Sequence, residues 1–153
     1  MGHYNFSQDL ANSDSTELEI ARFIWGSATR PIKSISRNSD YRYDLLVEYG
    51  DGSLKTVEIK EDIKCQITGN VAVEFECRGK LSGLGVTEAD MWIYKVHLEH
   101  NILYFGIPVV KLKRAIVNRE YDSVKSGGDI GSGTRLFLFS LGKFSRLCFP
   151  SLL

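Results

Sequence analysis

The stretch from Tyr43 to Glu61, YDLLVEYGDGSLKTVEIKE, constrains this chain more than any other part of it. Two apolar-rich runs flank Gly50-Asp51-Gly52, and a glycine turn between such runs is a β-hairpin signal. A three-residue loop with Gly52 in the left-handed conformation closes a type I turn with a bulge and pairs Tyr49 with Ser53. Counting outwards sets Val47 opposite Lys55, Leu45 opposite Val57 and Asp44 opposite Glu58. A two-residue Asp51-Gly52 loop would slip this register by one and put Asp44 and Glu58 on opposite faces, so the turn type decides the arrangement.

Side chains alternate faces along a strand, and paired residues share a face. With the longer loop, Tyr43, Leu45, Val47, Tyr49, Val57 and Ile59 share a mostly apolar face, from which Lys55 can snorkel. Asp44, Glu58 and Lys60 gather at one end of the other face, which also carries Leu46 and Leu54. Partial cover is therefore expected on both faces.

An acid that begins one strand, followed by acid-x-lysine on the next, resembles the PD-(D/E)XK nuclease superfamily. The matching residues are Asp44 and Glu58-Ile59-Lys60, with Tyr43 where the family often has proline. The resemblance implies an α/β, restriction-endonuclease-like fold with a central mixed β-sheet flanked by helices. It implies a Mg²⁺- or Mn²⁺-dependent endonuclease that hydrolyses DNA phosphodiester bonds, with Asp44 and Glu58 on the metal and the Ile59 carbonyl as a further ligand. Lys60 would orient or deprotonate the attacking water or stabilise charge on the phosphate. Its neighbouring carboxylates should keep it protonated, which favours the electrostatic role.

Many members of the superfamily add a glutamate from an N-terminal helix. Glu17, in Glu17-Leu18-Glu19-Ile20-Ala21, is the residue in that place here, although the helix dipole favours acids in a first turn whatever the function. Asn12 to Thr16 is a run of N-cap residue types, and Thr16 with Glu19 reads as a capping box opening a helix to about Gly26. The order of a Gly69-Asn70 turn, a strand, a Ser82-Gly83 loop and Thr87-Glu88-Ala89-Asp90-Met91-Trp92 resembles small phage-encoded nucleases of the superfamily. Holliday-junction resolvases are also of this size. The likeness implies structure-selective or non-specific cutting, in the host cytoplasm if the chain is phage-encoded. Cutting both strands implies a homodimer, with the apolar Leu136–Leu153 tail and the Met91-Trp92-Ile93-Tyr94 strand as candidate surfaces.

The 153 residues suit a single domain spanning 1–153, and 19 basic against 19 acidic side chains leave no net charge. Any nucleic-acid surface must then be a local patch. The helix opened by Pro108 carries Lys111, Lys113, Arg114 and Arg119 and reads as a DNA-backbone rail or a solvated face. The glycine-rich loop bearing Arg78 and Lys80 is a second candidate, and Arg30, Lys33, Arg37 and Arg42 are either phosphate contacts or a solvated loop. Val71–Cys77 alternates as a half-buried strand whose Glu74 and Glu76 face solvent, or widen an acidic pocket if the strand lies beside Glu58. Thr87–Asp90 resembles a capped helical turn, Gly127–Gly133 a flexible loop and Leu136–Leu141 a last strand. The three cysteines lack metal-ligand spacing and the three histidines form no site, which suits reduced thiols in the cytoplasm. No apolar run approaches a membrane span, and MGHYNFSQD lacks a signal-peptide core. The alternative is a nuclease-fold protein that binds nucleic acid without cutting, or a phage inhibitory or structural protein; the intact Asp, Glu and Lys argue against it.

Overall fold

The computed structural model describes residues 4–13, 15–38, 42–127, 131 and 133–148. Helices α1 (Gln8–Ala11) and α2 (Thr16–Ser27) precede strands β1 (Ile32–Arg37), β2 (Leu45–Tyr49) and β3 (Leu54–Asp62). A short helix α3 (Cys65–Thr68) leads into β4 (Asn70–Cys77) and β5 (Lys80–Leu81). Then come β6 (Met91–His97), β7 (Ile102–Pro108), helix α4 (Val109–Val117), β8 (Ser123–Gly127), β9 (Thr134–Ser140) and helix α5 (Leu141–Cys148).

The β2–β3 hairpin closes through the three-residue loop. Tyr49 N–H donates to the Ser53 carbonyl at 2.9 Å, and Gly52 sits at φ +84°, where a side chain would be strained. The Asp51 carboxylate accepts the Ser53 N–H at 2.9 Å and fixes the turn. The ladder then pairs Val47 with Lys55 and Leu45 with Val57.

Strands β1-β2-β3-β6-β7 form a mixed sheet in which only β3 and β6 run parallel. A parallel pair needs a crossover, and here it contains α3, β4 and β5. Strand β4 pairs with β5 and β9, not with β3, and a second, antiparallel sheet of order β5-β4-β9-β8 stands beside the expected single one.

Each face of the mixed sheet has its own core. Leu45, Val47, Tyr49, Val57, Met91 and Ile93 bury against Leu18, Ile20, Ala21 and Ile24 of α2. Trp92, Tyr94 and Val96 bury on the other face with Val71, Val73, Leu112, Phe139 and Phe144, from the second sheet, α4 and α5. Cover on both faces explains why β6 reads MWIYKV without alternation. Tyr43 packs with the second cluster rather than with Leu45 and Val47, because strand alternation begins only where β2 does.

The fold corrects other expectations. Met91 to Tyr94 are at most 2 % exposed at the centre of the sheet, so this strand is not available as a subunit surface. The expected apolar tail, Leu136–Leu153, is strand β9 and then helix α5 as far as Cys148, and α5 buries Phe144 and Cys148 inside the chain; residues 149–153 lie outside the described residues. Thr87 to Ala89 are irregular, and the helical turn falls earlier, at Gly83–Gly85. No Thr16–Glu19 capping box forms: Ser15 is the N-cap, without a side-chain cap bond. Helix α4 stops at Val117, and Arg119 follows with φ +57°. Of the Gly127–Gly133 loop, residues 128–130 and 132 lie outside the described residues. Among the described residues no helix is long and apolar enough to cross a membrane.

Candidate active site

Strand β2 begins only at Leu45, opposite Val57, while β3 runs on to Asp62, so the last residues of β3 have no β2 partner. Asp44 fills this gap. Its N–H donates to the Val57 carbonyl at 2.9 Å, and its Oδ2 accepts the Ile59 N–H at 2.6 Å. In a regular strand the N–H and C=O of one residue point to the same side, so the Ile59 carbonyl also faces the space beside Asp44. Burial pushes the Asp44 carboxyl above its ordinary value. The Ile59 N–H opposes that rise, the Glu58 charge adds to it, Lys60 opposes and Glu17 adds again.

Glu58 and Lys60 stand on the face shared with Trp92 and Tyr94, their partners across the parallel β3–β6 ladder. The Glu58 carboxylate is in contact with the Lys60 ammonium through Oε1. Its Oε2 accepts from the Thr87 hydroxyl at 2.5 Å and from Trp92 Nε1–H at 3.0 Å. Lys60 Nζ lies 4.6 Å from the centre of the Trp92 ring. Glu58, Lys60, Arg42, Glu74 and Thr87 line a hollow of about 230 Å³. Lys60 and Glu74 also line a neighbouring cleft of about 380 Å³, walled by Thr134 and Leu136 of β9. Glu74 therefore reaches the site from the second sheet, although β4 does not pair with β3; Glu76 instead lies 3.9 Å from Arg135.

Glu17 approaches from the other face. With Thr16, Asp44, Ile59 and Glu61 it lines a hollow of about 340 Å³, and Arg37 lies 3.5 Å away. The structure thus brings Glu17, Asp44, Glu58 and Lys60 to one end of the sheet. Glu17 and Glu58 lie on opposite sides of it, with Asp44 at the edge between them.

Compared with known proteins, the sequence matches no family model and no curated protein.

The donor set itself tests the fit of a metal. Among the described residues no three His, Cys, Asp or Glu side chains converge as ligands. Asp44, Glu58 and the Ile59 carbonyl nevertheless make an all-oxygen set of the kind that suits Mg²⁺, which keeps several waters and needs few protein ligands. A carboxyl raised by burial and by like charges is also one that a divalent cation would relieve. A larger cavity, about 670 Å³, lies elsewhere, between α2, β7 and α5, and among the described residues no carboxylate lines it. Its one thiol, Cys148, is pushed up to about 12 by burial, which leaves it unreactive.

The basic residues separate into two groups. Arg30 lies 3.5 Å from Asp51 and Lys33 2.8 Å from Glu48, each paired within the β1–β3 region, whereas Arg37 pairs with Glu17 at the Asp44 hollow and Arg42 lines the Glu58 hollow. Lys111, Lys113 and Arg114 sit on α4, and among the described residues none of the three joins an ion pair; Lys113 borders an apolar hollow with Phe75 and Phe137 of the second sheet. Arg78 and Lys80 are exposed at the β4–β5 turn. None of these five lines the hollows around Asp44 and Glu58.

A further network is formed by residues far apart in the chain. Lys95, 7 % exposed, lies 2.7 Å from Glu19 and 3.8 Å from Glu61; Glu61 is 2.7 Å from His97, and the Tyr104 hydroxyl donates to Glu19 at 3.1 Å. A lysine inside the apolar run MWIYKV is its one sequence signal, since a buried cation requires a carboxylate partner. The Lys95 hydrogen bond holds the Glu19 carboxyl below its ordinary value, and Glu19 holds the Lys95 ammonium above its own. The lowered acid contributes stability above the unfolded carboxylate range and loses it as pH falls through its folded value. The raised ammonium contributes below the ordinary lysine value and loses it as pH rises through its folded value, so the pair anchors α2 from about pH 5 to 10. Glu19 is 45 % exposed, and solvent screening keeps the cost of Lys95→Met at pH 7 to about 1–2 kcal/mol. Urea melts should show the gap from wild type shrinking as pH falls below the ordinary carboxylate range and Glu19 is protonated; a gap that does not change with pH would discount the pair.

Proposed function

We propose that this chain is a metal-dependent endonuclease of the PD-(D/E)XK type that hydrolyses DNA phosphodiester bonds in the cytoplasm, selecting structure or cutting non-specifically. The observation that carries this reading is Asp44 hydrogen-bonded to Ile59 just before the start of β2, with Glu58 and Lys60 on one face of β3 beside it. A three-stranded antiparallel run followed by a parallel partner for β3 supports a restriction-endonuclease-like sheet.

Asp44, Glu58 and the Ile59 carbonyl would hold Mg²⁺ or Mn²⁺. A bound divalent ion supplies Lewis-acid polarisation of the phosphate and a more acidic water. Lys60, paired with Glu58 and seated on the Trp92 ring, presents its ammonium to a phosphoryl oxygen or to the attacking water. Glu17 faces Asp44 from the α2 side and is placed to orient water there.

A second reading, a nuclease-fold protein that binds nucleic acid and cuts nothing, draws on Glu58 being fully engaged by Lys60, Thr87 and Trp92. Linear duplex, single strand, flap, four-way junction and RNA, each incubated with Mg²⁺, Mn²⁺ or EDTA, separate the two. Metal-dependent cutting of DNA supports the first; binding without cutting supports the second; neither binding nor cutting overturns both.

The α4 cations and the Arg78–Lys80 turn are the proposed backbone contacts. Neutralising Lys111, Lys113 and Arg114 together should weaken every DNA shape alike and lower the slope of log K against log salt by about 0.9 for each phosphate no longer neutralised. Anisotropy titrations across a salt series read this, and an unchanged slope removes α4 from the interface. Concerted cutting of both strands calls for a homodimer. Neither Met91–Tyr94 nor the buried side of α5 is free to form its interface.

A further inference from the structure

We infer that Trp92 and Thr87 are positioning residues of the Asp44–Glu58–Lys60 site, locking one oxygen of Glu58 with two donors while the Trp92 ring seats Lys60. The inference rests on the nuclease reading above and adds residues that lie outside the acid and acid-x-lysine pattern.

Trp92 is 0 % exposed, and a buried indole N–H requires an acceptor. Its acceptor is Glu58 Oε2, at 3.0 Å, with Thr87 Oγ1 also 3.1 Å from Nε1. The indole is fully buried in the core cluster that also holds Val71, Val73, Leu84 and Phe139, so close packing sets its plane. Glu58 itself is only partly buried, on a side chain with three rotatable bonds, and without fixed donors it would sample several directions. Both donors take Oε2 and leave Oε1 to Lys60. The same indole offers its face to the Lys60 ammonium, so one rigid group sets both charges of the acid-x-lysine pair.

Thr87 reaches Glu58 because its loop is tied at both ends. At Gly83, φ is +48° and a Cβ would lie 2.4 Å from the Glu74 carbonyl oxygen, so glycine lets this loop press against β4. Thr87 N–H donates to the Gly83 carbonyl at 3.0 Å. Beyond Thr87, Asp90 Oδ2 accepts from the Thr56 N–H at 2.8 Å and the Thr56 hydroxyl at 3.0 Å. The hydroxyl is thus delivered from a strap spanning the two sheets, which is why no local pattern around Glu58 announces it.

The test uses Mn²⁺ binding to the full chain, measured by calorimetry, beside cleavage kinetics. Trp92→Phe keeps a ring under Lys60 but removes the N–H, and Thr87→Val removes the hydroxyl. Each should weaken Mn²⁺ binding about 10- to 100-fold, as removal of outer partners of metal ligands does. The effect should fall mainly on the metal concentration needed for half-maximal rate, and Thr87→Ser, which keeps the hydroxyl, should restore it. The chain has two tryptophans, so a Trp25→Phe protein reports Trp92 alone; its emission should respond to Mn²⁺, and adding Asp44→Asn should abolish the response. If Trp92→Phe does not fold, the Thr87 pair decides. Wild-type Mn²⁺ affinity and rate in folded Thr87→Val and Trp92→Phe would overturn the proposal and leave the nuclease reading intact. A wild-type chain that neither binds Mn²⁺ nor cuts would overturn the nuclease reading and this proposal with it.

Discussion

Asp44→Ala, Glu58→Ala and Lys60→Ala are each expected to lower metal-dependent DNA cleavage by about 10³-fold or more, to effectively no cutting, while the chain stays folded. The three side chains lie near the start of β2, Asp44 just before it and Glu58 and Lys60 on the neighbouring β3, and their proposed roles differ. Asp44 and Glu58 hold the cation, and Lys60 meets charge on the phosphate. Asp44→Asn separates a metal-holding role from a structural one. Burial raises the folded Asp44 carboxyl, so ionisation opposes folding, and stability falls as pH rises from the unfolded value through the folded one. At neutral pH without metal, Asp44→Asn should therefore melt at or above the wild-type temperature, since the amide oxygen can still accept the Ile59 N–H. With Mg²⁺ the wild type should gain melting temperature and Asp44→Asn should not. Asp44→Ala protein that cuts at the wild-type rate would refute the assignment.

Asp62→Ala is expected to destabilise the chain by about 2–4 kcal/mol, lowering Tm by roughly 5–15 °C. Asp62 is 8 % exposed, and its two oxygens accept the Cys65 N–H at 2.9 Å and the Ala72 N–H at 3.0 Å. One carboxylate thereby joins the end of β3, the start of α3 and strand β4, linking the mixed sheet to the second one. Alanine would leave two backbone donors without their charged acceptor and would loosen the wall of the cleft beside Lys60. Asp62→Asn keeps one carbonyl acceptor and should recover about half of the loss. Scanning calorimetry reads both variants, and an Asp62→Ala protein that melts with the wild type would show that the two sheets are joined by other means.

The hairpin was legible because everything that decides it is local. A glycine able to take φ +84° closes the loop, the loop sets the register, and the register brings Asp44 beside Ile59 and Glu58 beside Lys60. Helix α2 was legible for the same reason, from polar residues at its start and an apolar stripe that faces one core. Helix α5 was not. Nothing between Ser140 and Leu141 breaks the chain, and LGKFSRLC reads as a tail until Phe144 has Tyr94, Phe105 and Phe139 to pack against. The partner of β4 was equally hidden, since Val71 and Val73 need an apolar face to bury against whether the neighbour is β3 or β9.

By itself, then, the sequence determined the turn, the register and the placing of Asp44 beside Ile59 and of Glu58 and Lys60 on one face of β3, because those depend on backbone sterics and on residues a few positions apart. The tertiary structure alone decided that Glu19 leaves its helix cap for Lys95 and for Tyr104, 85 positions away, and that Trp92 and Thr87 grip Glu58. A buried ammonium, carboxylate or indole N–H takes whichever partner packing brings within about 3 Å, and that choice is made only when the two cores close over the sheet.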